Sequence, residues 1–346
     1  MAGMMKALQK TRLEVGGEIK EIAIPEVKPG FVLVKIELAA ICGSDLQVYN
    51  WRADVAKKVR LPLTMGHEYC GTVVALGDHV QNVAVGDRVA GETHYPCGKC
   101  YMCATGNQHI CVDMKIVGRS YPGCFAQYML APEICVRKVP QDLDPKLAAI
   151  FEPLGVAVHA LQRTNPCGET VAVLGCGPIG LIAVAAAKKM GAARVFAISR
   201  TKEKLDLAQR LGAVCTFNSK EVDVVEAIKE VTKGAGVDVV LEVSGSNEAF
   251  IQGLEMLKNQ GRFCLIGIPT KPVEFNSDRY LIRKGLSITG IWGRRMFDTW
   301  LAIEELLASG ELDLTPLLGN VYSLDDFAAA FQEAASGTPQ RIFLAP

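Results

Sequence analysis

The pattern of hydrophobic and polar positions changes in character about halfway along the chain. In the first part, short runs alternate apolar and polar side chains, as half-buried strands do. These runs are residues 31–39, 71–76 and 88–90. Gly-Asp pairs at 77–78 and 86–87 mark turns between such segments. The first part of the chain therefore predicts an irregular, mostly β domain.

From about residue 169, apolar runs of five to seven residues alternate with amphipathic helical stretches. The runs predicted as strands are residues 171–175, 195–199, 237–243, 262–267 and 287–291, and the helices between them include residues 179–189, 222–232 and 247–257. Strands that alternate with helices in this way form a parallel sheet. The pattern predicts a doubly wound α/β domain with six strands, of which these five are assigned bounds.

The last fifty residues need not belong to that sheet. They contain a predicted helix at 296–309 and further segments at 324–336 and 341–344. We expect these segments to return to the first domain. The predicted fold class is therefore α/β, with a mostly β domain formed by residues 1–155 and 295–346 and a parallel-sheet domain formed by residues 156–294.

Composition and charge narrow the possible functions. The 346 residues are 49% hydrophobic and 21% charged, with 37 basic and 37 acidic side chains, as in a globular protein. This balance supplies no basic excess for nucleic acid, which is not expected as a partner. Glycines and a proline interrupt the longest apolar run, residues 171–187, so no membrane span is predicted. The chain begins without the apolar core of a secretory signal, which indicates a cytoplasmic location.

Four cysteines form a closely spaced set in a loop that is rich in glycine and proline. They are Cys97, Cys100, Cys103 and Cys111. Two-residue gaps let thiolates converge on one tetrahedral ion, and four sulfur ligands leave no position open for water or substrate. The spacing therefore predicts a structural zinc site. An iron–sulfur cluster accepts the same ligands, but nothing else in the sequence indicates electron transfer. Four free surface cysteines would expose oxidisable thiols.

A second metal site is predicted from three separate segments. Cys42 and His67 are each common as core residues when taken alone. Glu152 changes the interpretation, because this carboxylate lies in an apolar stretch where its burial without a partner would be costly. Cysteine, histidine and carboxylate make a three-ligand zinc site with one open position, as catalytic zinc requires.

A glycine-rich turn opens the parallel-sheet domain. The turn has the pattern G-x-G-x-x-G, follows a predicted strand and begins a helix, and this context makes the motif specific. Its residues are Gly175, Gly177, Pro178, Ile179 and Gly180. The glycines let backbone N–H groups approach a pyrophosphate at the positive end of the helix. The sequence therefore predicts a dinucleotide site; an ordinary glycine turn is the alternative.

With these motifs in place, the chain resembles the zinc-dependent medium-chain dehydrogenase/reductase family over nearly its whole length. The resemblance implies a GroES-like catalytic domain, a Rossmann cofactor domain, two zinc ions per chain and a small-molecule alcohol as substrate. It also implies that Cys42, His67 and Glu152 bind the catalytic zinc, while Glu68 can enter its ligand shell. Zinc acts as a Lewis acid that lowers the pKa of the alcohol, which gives its hydride to nicotinamide C4. Family members are commonly dimers or tetramers, so a homo-oligomer is expected.

The residues at the end of the second strand of the Rossmann domain indicate whether NAD or NADP is bound. NAD-binding proteins usually place a carboxylate there, which holds the ribose 2′-OH. This chain has Ser199 followed by Arg200, and Lys204 lies one helical turn further on. Without the carboxylate, a 2′-phosphate is not repelled, and Arg200 can bind it. NADP is the predicted cofactor, with NAD as the alternative and Arg200 then a solvated surface residue.

Within the family, three stretches resemble the L-threonine 3-dehydrogenase branch. They are residues 92–94, 150–155 and 293–300. That branch implies a pocket for an ammonium and a carboxylate, for which Glu152, His94 and the Arg294-Arg295 pair are candidates by residue type. A structural packing role is the alternative for residues 293–300.

Two departures from the branch concern the cofactor and the proton. Ser199 replaces an acidic residue that the branch commonly carries, and Gln47 replaces a histidine five residues after the zinc cysteine. Because Gln47 cannot titrate, a proton relay from Ser44 to solvent needs water or His94. His94 fits a structural role near the cysteine loop equally well.

Two other functions fit parts of the same pattern. A polyol or other secondary-alcohol dehydrogenase, including an NADPH-dependent ketone reductase, would retain the same zinc and cofactor residues. A non-catalytic, zinc-stabilised binding protein would be expected to lose an open-site ligand or the glycine turn, and this sequence keeps both. Turnover of the cofactor with an alcohol separates the two classes.

Overall fold

The structure, a computed structural model, describes residues 3–56, 59–269, 271–310 and 312–346. The chain forms two compact units, one from Met1–Glu152 with Leu318–Pro346 and one from Pro153–Leu317. The sequence pattern placed these divisions at 155/156 and 294/295. The first division differs by three residues, whereas the second lies 23 residues later in the structure.

Strands and helices follow in this order. The strands are β1 (Met4–Lys10), β2 (Glu18–Ala23), β3 (Phe31–Ala40), β4 (Leu63–Thr64), β5 (Glu68–Leu76), β6 (Arg88–Gly91), β7 (His94–Tyr95), β8 (Lys115–Ile116), β9 (Tyr128–Pro132), β10 (Val136–Lys138), β11 (Thr170–Leu174), β12 (Arg194–Ser199), β13 (Cys215–Asn218), β14 (Val237–Glu242), β15 (Leu257–Leu265), β16 (Ser287–Gly290), β17 (Leu318–Ser323) and β18 (Arg341–Ala345). The helices are α1 (Gly43–Tyr49), α2 (Ala53–Ala56), α3 (Tyr101–Ala104), α4 (Pro145–Ala149), α5 (Phe151–Thr164), α6 (Pro178–Lys189), α7 (Lys202–Arg210), α8 (Val224–Val231), α9 (Asn247–Met256), α10 (Asp298–Ala308) and α11 (Phe327–Ala335). Among the described residues, no helix is both long enough and apolar enough to cross a bilayer.

The first unit is built on a seven-stranded sheet. Its strands run in the order β10-β6-β5-β3-β18-β17, and β9 pairs with β3 beside this path. In the middle of β3, the exposed side chains of Lys35 and Glu37 flank the buried Ile36, as the alternating sequence predicts. The last three residues of β3 are all buried, so the chain reaches Cys42 from inside the sheet.

The second unit is a six-stranded parallel sheet with the order β13-β12-β11-β14-β15-β16. The strand order reverses between β11 and β14, so the crevice beyond the carboxyl ends of these two strands is where such folds bind ligands. The predicted combination of a mostly β domain with a Rossmann sheet is thus confirmed. One strand, β13, had no bounds assigned from the sequence, because all four of its residues are only partly buried.

Packing explains why residues 295–317 belong to the second unit. Arg294 is 1% exposed, and a Cβ placed on Gly155 of α5 would lie 2.6 Å from its side-chain carbons. Trp300 on α10 is fully buried. The chain returns to the first unit with β17, and α11 then brings Phe331 into a stack on Tyr49 with ring centroids 4.4 Å apart.

Candidate active site

A buried carboxylate joins the first two predicted metal ligands. Cys42 immediately precedes α1, and its backbone N–H donates to Asp45 Oδ2 at 2.9 Å. The other carboxylate oxygen, Oδ1, lies 3.1 Å from His67 Nδ1. Asp45 is 2% exposed. Because Nδ1 is engaged by Asp45, Nε2 of His67 is the ring atom left for a ligand, as is usual for metal-binding histidines.

Cys42, His67 and Glu68 form one group whose ligand atoms all lie within 4.8 Å of one another. Glu68 is fully buried, and its Oε2 accepts a hydrogen bond from Arg341 at the start of β18. Its other oxygen, Oε1, lies 3.9 Å from His67 Nε2 and has no hydrogen-bond partner among the described residues. A buried carboxylate oxygen without a donor is costly. Sulfur, nitrogen and oxygen donors with this unsatisfied atom fit a zinc ion.

The charges around this group favour a cation. Burial alone would lower the pKa of His67, but the Asp45 carboxylate and the Cys42 thiol raise this pKa well above its usual value. Burial raises the pKa of Glu68, opposed by the guanidinium of Arg341. The carboxylates of Asp45, Glu68 and Glu152 thus outnumber the guanidinium of Arg341 around this group, and a divalent cation would compensate for the excess negative charge.

Glu152 does not belong to the group that includes Cys42 and His67. It lies in the first turn of α5, where its charge raises the pKa of both Glu68 and Arg341. The structure therefore places Glu68 beside the two predicted ligands and Glu152 further out. The sequence named both carboxylates as candidate ligands without fixing which of them binds zinc at rest, because the contact of Glu68 with Arg341 has no local sequence signal.

Two further residues were predicted to handle the proton. Ser44 lies in the first turn of α1 with its Oγ 3.4 Å from His67 Nε2. His94 on β7 is 6% exposed, its Nδ1 lies 3.9 Å from Glu92 Oε1, and its backbone carbonyl faces the Cys135 thiol. The structure therefore places Ser44 next to the metal group. The side chain of His94, in contrast, contacts Glu92.

Gln47 occupies the position that resembles a histidine site in the family. Its side-chain oxygen accepts a hydrogen bond from Arg119 Nη2 at 3.1 Å. Arg119, Asp45 and Arg341 are contact residues of this region that sequence reasoning did not identify. The first lies 72 residues from its partner, so no local pattern could have indicated the contact.

The four cysteines of the predicted structural site converge. The sulfur atoms of Cys97, Cys100, Cys103 and Cys111 lie within 4.8 Å of one another, and none of them forms a disulfide. Cys100 Sγ is 3.5 Å from Cys103 Sγ and 3.7 Å from Cys111 Sγ. Four thiolates around zinc at ~2.3 Å stand about 3.8 Å apart, so these separations suit a tetrahedral ion. Backbone hydrogen bonds from Cys103 and Val112 lower the pKa of Cys100 to about 6.

The glycine turn lies in the second unit between β11 and α6. Gly175 has a φ of +102°, and a Cβ there would lie 2.9 Å from the backbone nitrogen of Ser244. A Cβ on Gly180 would lie 1.9 Å from the Gly175 carbonyl oxygen. Gly177 caps α6 and Pro178 begins it, with Ile179 in the same turn. The turn thus requires glycine sterically at positions 175 and 180, as a pyrophosphate-binding turn does, whereas a Cβ on Gly177 would meet no described protein atom within 4 Å.

The predicted cofactor-selecting residues share one cavity with that turn. The cavity measures about 380 Å³, and its lining includes Gly175, Gly177, Ser199, Arg200 and Lys204. Ser244 also lines it and was not predicted from the sequence. The loop of Ser244 is held from below by Glu242, a fully buried carboxylate whose Oε1 accepts from Ser244 N, Ser244 Oγ and Gly245 N.

A Cys-His-Glu metal group and a dinucleotide-binding sheet on one chain define a metal-dependent dehydrogenase. The sequence profile of the alcohol dehydrogenase GroES-like domain matches residues 28–141, and that of the zinc-binding dehydrogenase domain matches residues 178–309. The chain therefore belongs to the zinc-binding alcohol dehydrogenase family. Its reaction is an NAD(P)-linked oxidation or reduction of a small-molecule alcohol or ketone, as the sequence predicted.

Full-length relatives support this membership. The chain is 41% identical to an L-threonine 3-dehydrogenase of Bacillus subtilis (strain 168), with 100% of this chain and 99% of the relative covered. It is 38% identical to an L-threonine 3-dehydrogenase of Escherichia coli (strain K12), with 98% and 99% covered.

Solved structures agree on the fold. A zinc-binding dehydrogenase from Sinorhizobium meliloti 1021 bound to NADP superimposes with a TM-score of 0.90 and 31% identity, covering 99% of this chain and 100% of the other. Galactitol-1-phosphate dehydrogenase from Escherichia coli gives a TM-score of 0.91 and 29% identity with the same coverage. The same fold therefore serves different substrates, and the choice of substrate must be argued from the site.

Proposed function

We propose that the protein oxidises L-threonine at its secondary alcohol to 2-amino-3-ketobutyrate, with NADP as the hydride acceptor. The observation that carries this proposal is the group formed by the partly buried Cys42 and the buried His67 and Glu68, set in a chain that matches L-threonine 3-dehydrogenases over its full length. In the reaction, the C3–H bond breaks and its electron pair passes to nicotinamide C4. The hydroxyl proton is released, so the products are the ketone, the reduced cofactor and one proton.

The residues of the first unit divide the work of this reaction. Cys42, His67 and either Glu68 or Glu152 would hold zinc, which supplies a Lewis acid that makes the alcohol more acidic. Asp45 fixes the ring of His67. The Oγ of Ser44 lies 3.4 Å from His67 Nε2, so its hydroxyl would take up the substrate proton while it passes its own proton on. Gln47 cannot accept that proton, so its path beyond Ser44 runs through solvent.

An oxidation assay of the zinc-loaded protein tests the substrate. L-Threonine, a panel of polyols and simple secondary alcohols are each oxidised with NAD and with NADP. Preferential turnover of L-threonine supports the proposal. Turnover of polyols alone would assign the protein to the polyol dehydrogenases, and tight NADP binding without any turnover would indicate a binding protein.

The choice of NADP rests on the end of β12. Ser199 stands where an NAD-specific fold carries a carboxylate, and Arg200 and Lys204 line the same cavity as the glycine turn. A guanidinium binds a phosphate with paired, charge-assisted hydrogen bonds, and a missing carboxylate removes repulsion. NADP is therefore favoured over NAD.

Replacing Arg200 tests this choice. We expect Arg200→Ala to lower kcat/KM for NADP about 10- to 100-fold, the worth of hydrogen bonds to a charged group, and to leave that for NAD nearly unchanged. Lys202→Ala is the matched control, since Lys202 is exposed and paired with Asp206 outside the cavity lining. An equal loss with both cofactors would argue against a 2′-phosphate contact.

We also propose two zinc ions per chain and a homo-oligomer. The second zinc would be held by Cys97, Cys100, Cys103 and Cys111, whose sulfur separations suit a closed tetrahedral site. The oligomer would form at the edge strand β16, which has an unpaired side in the described sheet. Such an edge pairs readily with a second copy.

A further inference from the structure

Arg119 follows a turn whose backbone lies directly against the metal group. Gly118 has a φ of +70°, and a Cβ there would lie 2.6 Å from the carbonyl oxygen of Gly66. Gly66 immediately precedes His67. The same carbonyl accepts the N–H of Cys124 at 3.1 Å. The chain segment that contains Gly118 therefore lies against the backbone that leads into His67. Arg119 is the next residue after Gly118, where the two segments approach each other most closely.

The side chain of Arg119 contacts α1, the helix that follows the predicted zinc ligand Cys42. Its Nη2 donates to Gln47 Oε1 at 3.1 Å. Gln47 lies three residues after Ser44 on α1, so both side chains occupy the same side of the helix. Ser44 Oγ in turn is 3.4 Å from His67 Nε2. The guanidinium is thus positioned about one helical turn, ~5 Å, from the residue that faces the metal group.

The charge of Arg119 is not neutralised by the residues around it. Arg341 is paired with Glu68, and Asp45 is occupied by His67 and the Cys42 N–H. Arg119, in contrast, contacts the neutral amide of Gln47, and no carboxylate of a described side chain forms an ion pair with it. A guanidinium has five N–H donors in a fixed fork that matches a carboxylate or a phosphate. Arg119 is only partly buried and keeps donors for a ligand.

We propose that Arg119, oriented by Gln47, is a specificity-determining residue that binds an anionic group of the alcohol substrate. This inference deepens the proposed function and rests on it for the substrate class. The shared chemistry is a carboxylate or a phosphate monoester. Gln47 contributes because a neutral acceptor orients the guanidinium without cancelling its charge. A protonatable histidine at this position would repel it at low pH.

Matched substrate pairs test this role. L-Threonine is compared with L-threoninamide, 3-hydroxybutyrate with 2-butanol, and glycerol 3-phosphate with glycerol, so that each pair differs mainly in its anion. We expect Arg119→Met to raise KM and lower kcat/KM for the anionic member of the responding pair about 10- to 100-fold, and to leave the neutral member within about twofold. Arg119→Lys should restore part of the loss, because it keeps the charge but not the fork.

Two further variants keep the test independent of folding. Arg12→Met removes the same charge from a surface loop of the first unit, where Arg12 pairs with Glu14 and Glu18, and should change nothing. Gln47→Glu leaves Arg119 in place but puts a carboxylate against its guanidinium. We expect it to lower the ratio of anionic to neutral turnover by a similar factor. Effects on the cofactor cancel in this ratio, since both members of a pair use the same cofactor.

The outcomes separate this inference from the proposed function. If Arg119→Met slows L-threonine and L-threoninamide by the same factor, the role of Arg119 is wrong while threonine oxidation stands. If another carboxylated or a phosphorylated alcohol is oxidised in an Arg119-dependent way and L-threonine is not, the arginine role stands and the substrate is wrong. Oxidation of uncharged alcohols alone would overturn both.

Discussion

Asp45 joins two segments of the first unit through one buried carboxylate. One oxygen accepts from the Cys42 N–H and the other faces His67 Nδ1. An amide cannot satisfy both donors, because its nitrogen would meet an N–H. Partners that orient a ligand histidine typically contribute 10- to 100-fold to metal affinity, so this residue should matter although it touches no metal itself.

We expect Asp45→Asn to weaken zinc binding by about 10- to 100-fold and to lower kcat/KM in proportion. Zinc retained per chain during titration with a chelator measures the first effect, and steady-state assays measure the second. Asp144→Asn is the control, because Asp144 also caps a helix of the first unit through the N–H of Lys146. An Asp45→Asn protein that keeps its zinc as firmly as the Asp144→Asn protein would contradict this role.

Glu242 positions the loop that faces the glycine turn. Its Oε1 gathers three donors from Ser244 and Gly245, and Ser244 in turn contacts Gly175. We expect Glu242→Ala to raise the dissociation constant for NADP about tenfold, since buried donors left unsatisfied cost about 1–3 kcal/mol each. Glu242→Gln keeps the acceptor and should lose much less. Cofactor titration by fluorescence distinguishes the two; equal losses would mean that the charge, not the acceptor, matters.

The burial of Glu242 also predicts a pH dependence. Burial raises the pKa of Glu242, although hydrogen bonds from Ser244 and Gly245 oppose the rise. The folded chain therefore binds this proton more tightly than the unfolded chain, and stability falls as pH rises from the ordinary glutamate pKa through the raised one. Glutamine lacks this loss. As pH rises between the ordinary and the raised glutamate pKa, the Tm of Glu242→Gln should therefore increase relative to the wild-type Tm, as measured by thermal denaturation. A Tm difference that stays constant over this pH range would contradict the raised pKa of Glu242.

At the scale of elements, the cysteine loop of the first unit contains only short helices and strands. It contains the four-residue helix α3 and the two-residue strands β7 and β8, and it exposes Tyr101 and Val112 by 65% and 64%. Elements this short bury too little apolar surface to stay folded alone. The proposed zinc ion would supply their order, since its binding energy would also be folding energy.

Cys100→Ser is therefore expected to remove one zinc per chain and to open the loop to proteases. The zinc content measured by elemental analysis should fall from about two ions per chain to about one, and trypsin should cleave near Lys99 faster than in the wild-type protein. Cys167→Ser is the control, because Cys167 is exposed and lies outside the four-sulfur group. If Cys100→Ser kept both zinc ions, the four sulfurs would not be the second site.

Sequence patterns predicted elements where periodicity or spacing is local. The parallel sheet followed from apolar runs, and the cysteine loop and glycine turn followed from fixed spacings. The bounds of β13 were not predicted, because its four residues are all half-buried and show no alternation of buried and exposed positions. The contact of Glu68 with Arg341 joins residues 273 positions apart, so the pattern could not rank Glu68 ahead of Glu152. Such contacts depend on how β5 and β18 enter one sheet.

At the scale of the whole molecule, the chain leaves the first unit at Glu152 and returns to it at Leu318. The sequence analysis placed the return at residue 295, because the described residues between there and Leu318 contain no strand that would mark them as part of the parallel sheet. Burial of Trp300 and Arg294 instead keeps them in the second unit. The parallel sheet therefore ends at β16, whose outer side is unpaired in the described sheet.

The direction of backbone groups along β16 allows a test of association. Ile291 N–H donates to Leu265 O at 2.9 Å, toward β15. Backbone N–H groups alternate in direction along a strand, so that of Ile288 points to the free edge. Ile282, 73% exposed, and Trp292, 44% exposed, lie near this strand in sequence and leave apolar surface for a partner. An edge of this kind suits pairing with a second copy.

We expect Ile288→Pro to reduce the solution mass by at least half. Proline removes the outward N–H that would join two copies, while the bonds from β16 to β15 remain. Ile288→Thr retains the N–H and serves as the control. Light scattering after size exclusion measures the mass, and cofactor binding confirms that the second unit stays folded. A wild-type mass of one chain would rule out association, and an unchanged mass in the Ile288→Pro protein would place the interface elsewhere.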